Sequence, residues 1–335
     1  MTYQIHIAGT DVAYPCGSDE TLLDAALRAG IEIPYSCRKG ACGNCAAPVP
    51  TGSFTSVRSS SENTPNGQEL LCQCRPLSDL TIAPTTWSRL EPGARKKLQL
   101  KVYRNTLVAP DVSVLYLRLP AGQRVKFRAG QYLQICLPDG QRRSFSMANP
   151  PHESDSIQLH VRHVKGGLFS SMVSTLQPGQ LLEAELPFGQ VDIDPTAETP
   201  LVCVCTGTGF APVKSLIDDL ARRKSTRCIT LVWGARQHQG LYLVEHLDKW
   251  AKTLPNWEIV KVLQDASEAH AQGAFHGRVE SVMPSVLKEH PEADVYCCGS
   301  PSMVAAVRNA CLQDLALPPN RFHADVFAST SGTFD

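Results

Sequence analysis

Pro34-Tyr-Ser-Cys37-Arg-Lys-Gly40-Ala41-Cys42-Gly43-Asn-Cys45 sets three cysteines at a spacing of four and then two intervening residues. With a distant fourth cysteine, this is the pattern by which thiolates hold a [2Fe–2S] cluster. The chemistry explains the spacing. Four sulfurs must converge on two irons, and the backbone between them must turn tightly enough for its N–H groups to reach the sulfides. Gly40, Ala41 and Gly43 are small enough for that approach. Cys72 and Cys74 both follow at a distance, and spacing leaves the fourth ligand open between them. A zinc site would favour two C-x-x-C pairs, whereas the second pair here is C-x-C. The remaining alternative is a set of unrelated free cysteines.

The chain holds 13 cysteines, an odd number, and opens Met1-Thr-Tyr-Gln-Ile-His-Ile7 without a basic or strongly apolar leader. These features argue against a disulfide framework and a signal peptide and for a reducing, cytoplasmic location. Most cysteines outside the loop (Cys16, Cys136, Cys203, Cys205, Cys228, Cys297, Cys311) lie in apolar runs and read as small buried hydrophobes. A formal net charge of zero argues against a nucleic-acid partner. No apolar run approaches the roughly 20 residues of a membrane span, so no membrane association is expected.

Three blocks follow one another. Residues 1–85 begin with alternating Tyr3, Ile5 and Ile7, then Ser18-Asp19 as a helix cap before Leu22, Leu23, Ala26 and Leu27, and Gly30 as the stop. Strands, one helix and the cysteine loop predict a small α+β unit. Residues 86–97 are polar, basic and broken by Pro92-Gly93, which reads as a linker. The Ser-rich run 56–61 is the one low-complexity tract. Residues 98–196 carry short alternating segments (114–119, 132–137, 157–164) set off by Pro120-Ala-Gly122 and Pro138-Asp-Gly140, as in a closed antiparallel β-barrel. Residues 197–335 change rhythm: strand-like 201–205, helix-like 212–223, strand-like 229–233, helix-like 241–253, a further strand, helix-like 279–290, strand 294–298 and a last helix. That alternation predicts an α/β doubly wound parallel sheet.

Both later blocks carry candidate cofactor sites. Arg143-Ser144-Phe145-Ser146 ends a predicted strand and combines a phosphate partner, a ring and hydroxyls. Gly166-Gly167-Leu168-Phe169-Ser170 opens a predicted helix whose free N–H groups suit a pyrophosphate. Thr206-Gly207-Thr208-Gly209-Phe-Ala-Pro212 joins an apolar strand to a helix, the context of a glycine turn that binds a dinucleotide. Cys298-Gly299-Ser300-Pro301 ends a later strand. Past the strand at 229–233, no acid occurs from 234 to 244 and Arg236 is available, which favours NADPH over NADH. Alternatively, Arg236 is a solvated loop charge.

The first block resembles plant-type ferredoxins. Its cluster loop matches theirs almost residue for residue, and Leu70-Leu-Cys72-Gln73 matches the context of their fourth ligand. The resemblance implies a β-grasp fold and the ligand set Cys37, Cys42, Cys45 and Cys72, with Cys74 a departure from the family pattern. The remainder resembles the ferredoxin–NADP reductase superfamily in four ordered motifs, R-x-F-S, G-G-x-x-S, G-T-G-x-A-P and C-G-x-P-x-M. That resemblance implies that Arg143 holds flavin phosphate, Phe145 lies against the isoalloxazine, Ser146 approaches flavin N5, and His160, Val161 and Arg162 line the same site. It implies that Cys298 lies beside nicotinamide C4, that Asp325 stands where many relatives have Glu, and that Phe327 stacks on the ring. FAD is implied rather than FMN, because the ferredoxin part is N-terminal. The whole chain is similar to reductase components of multicomponent ring-hydroxylating oxygenases, which implies a terminal Rieske-type oxygenase as electron acceptor. Reductases of CDP-deoxyhexose biosynthesis share Gly209-Phe-Ala-Pro-Val-Lys-Ser215, so a deoxyhexose dehydratase or a soluble hydroxylase is the alternative acceptor. A stand-alone oxygenase would need a haem or oxygen-activating site, and none is visible. A pure ferredoxin carrier would lack the nucleotide motifs.

Overall fold

The computed structural model describes residues 1–40, 42–57, 67–91, 93–189 and 193–327. Ala41, Pro92 and residues 58–61 of the serine-rich run lie outside the described residues. The chain forms two compact units, Met1–Ala94 and Arg95–Asp335.

In the first unit Thr2–Ile7 is the middle strand of three, antiparallel to Ala13–Gly17 and parallel to Leu80–Ile82. Helix Leu22–Arg28 buries Leu22, Leu23, Ala25 and Ala26. This is the β-grasp arrangement, a mixed sheet with one helix. The helix cap is Thr21, whose hydroxyl accepts from the Asp24 N–H at 3.1 Å, and not Ser18-Asp19. Residues 17–20 instead close a turn through the Glu20 N–H and the Gly17 carbonyl at 3.1 Å. The stretch read as a linker is paired at both ends. Ser88–Arg89 lies antiparallel to Ile31–Glu32, and Lys96 opens the strand Lys96–Ala109.

The second unit has two halves. Six antiparallel strands run in the order Arg142–Ser146, Tyr132–Cys136, Leu181–Phe188, Lys96–Ala109, Val112–Arg118 and Ser156–Arg162. A bridge between Met147 and Leu159 joins the two outer strands and closes the barrel. Its core includes Leu100, Leu115, Leu133, Ile135, Leu159 and Leu186. The other half is a six-stranded parallel sheet in the order Phe275–His276, Trp257–Leu263, Ile229–Ala235, Leu201–Thr206, Asp294–Gly299 and Phe322–Val326. The first strand in sequence, Leu201–Thr206, sits in the middle, and the order reverses between it and Asp294–Gly299. Crevices outside the carboxyl ends of the strands at such a reversal are where open α/β sheets bind ligands.

Helix Phe210–Arg222 begins two residues before the predicted 212, since Pro212 fits a first helical turn. The predicted 241–253 shortens to Glu245–Thr253, because Leu243 takes a φ of 57°. Strand Phe322–Val326, absent from the sequence reading, ends the sheet. At the amino ends of the strands, buried Arg227, just ahead of Ile229–Ala235, pairs with Asp294 at the start of Asp294–Gly299, so the pair spans the strand Leu201–Thr206 between them.

The halves meet over Phe210–Arg222. Lys214, 3% exposed, donates to Asp218 Oδ2 at 2.9 Å on its own helix and to two barrel acceptors, Ala148 O at 3.2 Å and Gln158 Oε1 at 3.3 Å. Trp250 Nε1 donates to the other Asp218 oxygen at 2.9 Å, and Ser215 Oγ donates to Asn149 O at 2.7 Å. Burial pushes the Asp218 carboxyl up, but the Lys214 charge and hydrogen bond, with the Trp250 bond and the His246 charge, together offset this and leave it below the ordinary carboxylate range. A carboxyl lower in the folded than in the unfolded state stabilises the fold fully at neutral pH and loses that contribution as pH falls below about 4. Lys214→Met should strand the buried carboxylate and cost about 3–5 kcal/mol in urea unfolding at pH 7. Lys214→Met combined with Asp218→Asn should cost clearly less; equal losses would show that packing, not charge pairing, carries the effect.

Candidate redox and nucleotide sites

The cysteine loop of the first unit brings its sulfurs together. Cys37 and Cys42 stand 3.4 Å apart, and the backbone N–H groups of Lys39 and Cys42 both point at Cys37 Sγ at 3.3 Å. Gly40 and Gly43 have φ of 74° and 75°, the left-handed turns that such wrapping needs. Cys72 Sγ accepts from Gln73 Nε2 at 3.4 Å. Hydrogen bonds from Cys45, Gln73 and the Gly40 N–H hold the Cys72 thiol below the ordinary range despite its burial. Contact with Cys37 and burial raise Cys42, and contact with Cys72 and burial raise Cys45. Crowded, buried sulfurs ringed by N–H donors suit thiolates bound to a cationic cluster, so the residues present fit the group. Cys74 faces away. It lies on a strand antiparallel to Phe54–Ser56, and burial pushes its thiol up to about 12.

On the barrel, strand alternation puts Arg143 and Phe145 on one face of Arg142–Ser146 and Ser144 and Ser146 on the other. Arg142 is spent on Glu185 at 2.5 Å, whereas Arg143 reaches only the neutral acceptors Gln141 Oε1 and Arg142 O, at 2.6 and 3.0 Å. Phe145 packs 5.0 Å from Phe169. Gly166 has a φ of 76° and open space where a side chain would be. A half-exposed guanidinium with no acid paired to it among the described residues, and an open glycine turn on the same half, suit a diphosphate, so these residues fit a flavin nucleotide.

Several residues expected to line the flavin are engaged elsewhere. Val161 and Phe169 point into the barrel core, because the alternation of their elements turns them inward. Ser170 Oγ bonds Val164 and Gly167 and closes its own loop. Arg162 pairs with Asp111 at 3.1 Å, and its guanidinium would meet a Cβ on Gly207 at 2.6 Å. His160 is buried between the halves. Its Nδ1 lies 3.0 Å from the Tyr242 hydroxyl and its Nε2 3.3 Å from Gln158 Nε2. Burial and the nearby Lys214 charge hold its pKa well below the ordinary value, so the ring is neutral.

At the strand reversal, three predicted elements converge. Gly209 lies so close to the next strand that a Cβ would sit 2.1 Å from the Cys298 carbonyl oxygen. Pro212 is buried in the helix that follows. On the facing strand, a Cβ on Gly299 would meet Thr206 Oγ1 at 2.7 Å. Thr206, Gly207 and Thr208 rim the crevice, half-exposed. Ser300 is occupied as a helix cap, accepting from the Met303 N–H at 3.3 Å. Ser146 Oγ from the barrel donates to Asp325 Oδ2 at 3.3 Å, joining two residues far apart in the chain. Cys298 lies in register with Asp325 but is fully buried, and burial and the Asp325 charge push its thiol well up. It lies beside Asp325 on the neighbouring strand, at the carboxyl end where the sheet order reverses. Phe327 leaves the strand with its N–H on Gly299 O at 2.8 Å, at the crevice edge.

Arg236 is exposed at the carboxyl end of Ile229–Ala235, with no acid paired to it among the described residues. Acids that the local sequence did not reveal do come close. Glu268 accepts from the His238 N–H, and Asp265 caps helix Ala266–Ala271 while its own N–H bonds Arg236 O at 3.0 Å. Both carboxylates are committed to backbone N–H groups. Among the described residues, no helix is long and apolar enough to cross a membrane.

Comparison with known proteins agrees with this architecture. Residues 5–77 match the 2Fe-2S iron-sulfur cluster binding domain, 99–193 the oxidoreductase FAD-binding domain, and 203–309 the oxidoreductase NAD-binding domain. The chain is 53% identical over 333 residues to the terephthalate 1,2-dioxygenase reductase component 1 of Comamonas sp, covering 98% of each. It is 32% identical to the CDP-6-deoxy-L-threo-D-glycero-4-hexulose-3-dehydrase reductase of Yersinia pseudotuberculosis, covering 98% of this chain and 99% of that protein. Its fold matches the ferredoxin reductase in carbazole 1,9a-dioxygenase with a TM-score of 0.68 at 25% identity, covering 98% and 99% of the two chains. The chain belongs to the iron–sulfur flavoprotein reductase family of the terephthalate 1,2-dioxygenase reductase components: it is an oxidoreductase that carries electrons from NAD(P)H through FAD to its own [2Fe–2S] cluster.

Proposed function

We propose that this reductase serves a terminal aromatic-ring dioxygenase of Rieske type in the cytoplasm, in terephthalate-type catabolism, and draws on NADPH in preference to NADH. The end-to-end 53% identity to a terephthalate dioxygenase reductase component carries this reading. The 32% identity to a hexulose dehydrase reductase supports a second acceptor class, a deoxyhexose dehydratase. The proposed modules are 1–85 for the cluster, 98–196 for FAD and 197–335 for the coenzyme, joined at 86–97.

Bound flavin would accept the hydride pair and release single electrons, which a thiolate-held cluster relays with little rearrangement. The chain's own residues bind and orient. Cys37, Cys42, Cys45 and Cys72 hold the cluster. Arg143 neutralises flavin phosphate beside the turn at Gly166-Gly167-Leu168, and Phe145 packs against the ring. The Ser146 hydroxyl, oriented by Asp325, is directed toward flavin N5, and Phe327 covers the ring. Thr206, Gly207, Thr208 and Gly209 receive the coenzyme pyrophosphate at the start of the Pro212 helix. Arg236 takes the 2′-phosphate, while Glu268 and Asp265 each spend one carboxylate oxygen on backbone N–H groups.

Cys37→Ser, Cys42→Ser, Cys45→Ser and Cys72→Ser should each abolish the [2Fe–2S] spectrum while sparing NAD(P)H-driven ferricyanide reduction at the flavin. Cys74→Ser should keep the cluster, and the opposite result for Cys72 and Cys74 would reassign the fourth ligand. Arg143→Ala should weaken flavin binding by about 1.5–3 kcal/mol, roughly one to two decades in Kd by titration of the apoprotein. An unchanged Kd removes Arg143 from the site. Arg236→Ala should raise KM for NADPH and leave NADH kinetics alone, because a contact made equally in ground and transition states affects KM. A native preference for NADH would overturn the coenzyme assignment, and turnover with a dehydratase but no dioxygenase would favour the second acceptor class.

A further inference from the structure

A line of buried polar groups runs from the ion pair in the seam to the coenzyme turn. The Lys214 ammonium has three protons and three acceptors, Asp218 Oδ2, Ala148 O and Gln158 Oε1. Gln158 accepts on its oxygen and donates from Nε2 to His160 Nε2 at 3.3 Å. A neutral His160 that accepts at Nε2 carries its proton on Nδ1, and donates it to the Tyr242 hydroxyl at 3.0 Å. Tyr242 then has one proton left, directed at the Gly207 carbonyl at 3.4 Å. Every link points the same way, so each bond polarises the next.

The rings around the line prevent it from swinging. Phe210 stacks on Trp233 at 4.1 Å, Tyr242 meets Phe210 edge-on at 5.6 Å, and His160 meets Tyr242 edge-on at 5.4 Å. Gly207 is the residue that needs such support. Its φ of 53° lies in the left-handed region, the barrel's Arg162 covers its Cα, and its carbonyl also accepts the Phe210 N–H that starts the helix. The 3.4 Å link to Gly207 is the longest of the line.

We propose that Tyr242 and His160 are positioning residues, which transmit the anchoring of Lys214 to the Gly207 carbonyl and so hold the coenzyme turn in register with the flavin barrel. This rests on the assignment of 206–209 as the coenzyme turn. Tyr242→Phe removes one hydroxyl and keeps the ring. In the FAD-loaded protein, hydrogen exchange at the Phe210 amide should quicken about fivefold, the equivalent of one neutral hydrogen bond. FAD content and exchange in Ile229–Ala235 should not change, while the melting temperature should fall modestly because the buried His160 Nδ1–H loses its acceptor. In single-turnover mixing with NAD(P)H, flavin reduction at saturating coenzyme should slow by about the same factor.

His160→Asn keeps a donor at the Nδ1 position and should behave as the native protein, whereas His160→Gln moves its amide to the Nε2 position and should resemble Tyr242→Phe. Unchanged exchange at Phe210 in Tyr242→Phe, or equal effects of Asn and Gln at 160, overturns the proposal, as does faster exchange spread evenly over both strands. A native protein that fails to reduce its flavin with NAD(P)H refutes the functional reading instead, and the exchange measurement still decides the proposal.

Discussion

The reductase unit turns on one buried ammonium. Lys214 sits in the seam between barrel and parallel sheet, where an unpaired charge would cost several kcal/mol. It is tolerated because acceptors from both halves converge on it: a carboxylate from its own helix, and a backbone carbonyl and an amide from the barrel. Any sliding of one half past the other would break at least one of these bonds. A charge in this place is therefore a registration device, and the registration matters because the crevice draws its parts from both halves. Ser146 comes from the barrel and Asp325 from the last strand of the sheet, and their hydrogen bond exists only if the seam is in register.

The crevice itself depends on missing side chains. Gly209 and Gly299 stand where the strand order reverses, and at each a Cβ would run into the neighbouring strand or turn. The two central strands can thus end close together, with Thr206 and Cys298 on adjacent strands. Cys298 is sealed beneath by the same closeness. Burial and the Asp325 charge push its thiol well up, while Ser146 donates to Asp325 Oδ2 across the seam. The cluster loop obeys the same logic on a smaller scale, with left-handed glycines bending the backbone so that N–H groups face sulfur.

The cysteine spacing, the alternating barrel segments and the β-α rhythm after residue 197 were legible in the chain, because local periodicity and ligand spacing are properties of the string. Individual side-chain roles inside the motifs were less so. Phe169 and Val161 belong to matching motifs, yet the pleat and the helix face turn them into the core. Ser170 and Ser300 bond to nearby backbone, as short hydroxyl side chains at turns and caps do. Lys214 and Asp218 stand one helical turn apart, so their pairing had a local signal. Gln158 and His160 stand two apart on one strand and share a face, but Tyr242 had no local signal, since it meets His160 only when the halves close.

What the sequence determined by itself was therefore the cluster loop, the three-block architecture and the order of the nucleotide motifs, all set by short-range patterns. The tertiary structure alone decided that Cys72 lies against Gln73 while Cys74 pairs with Ser56 across a ladder. It also decided that Ser146 meets Asp325, that Cys298 is buried and that His160 meets Tyr242 across the seam. Most of these depend on distance and direction between residues far apart in the chain, which chain folding fixes and spacing along the chain does not encode.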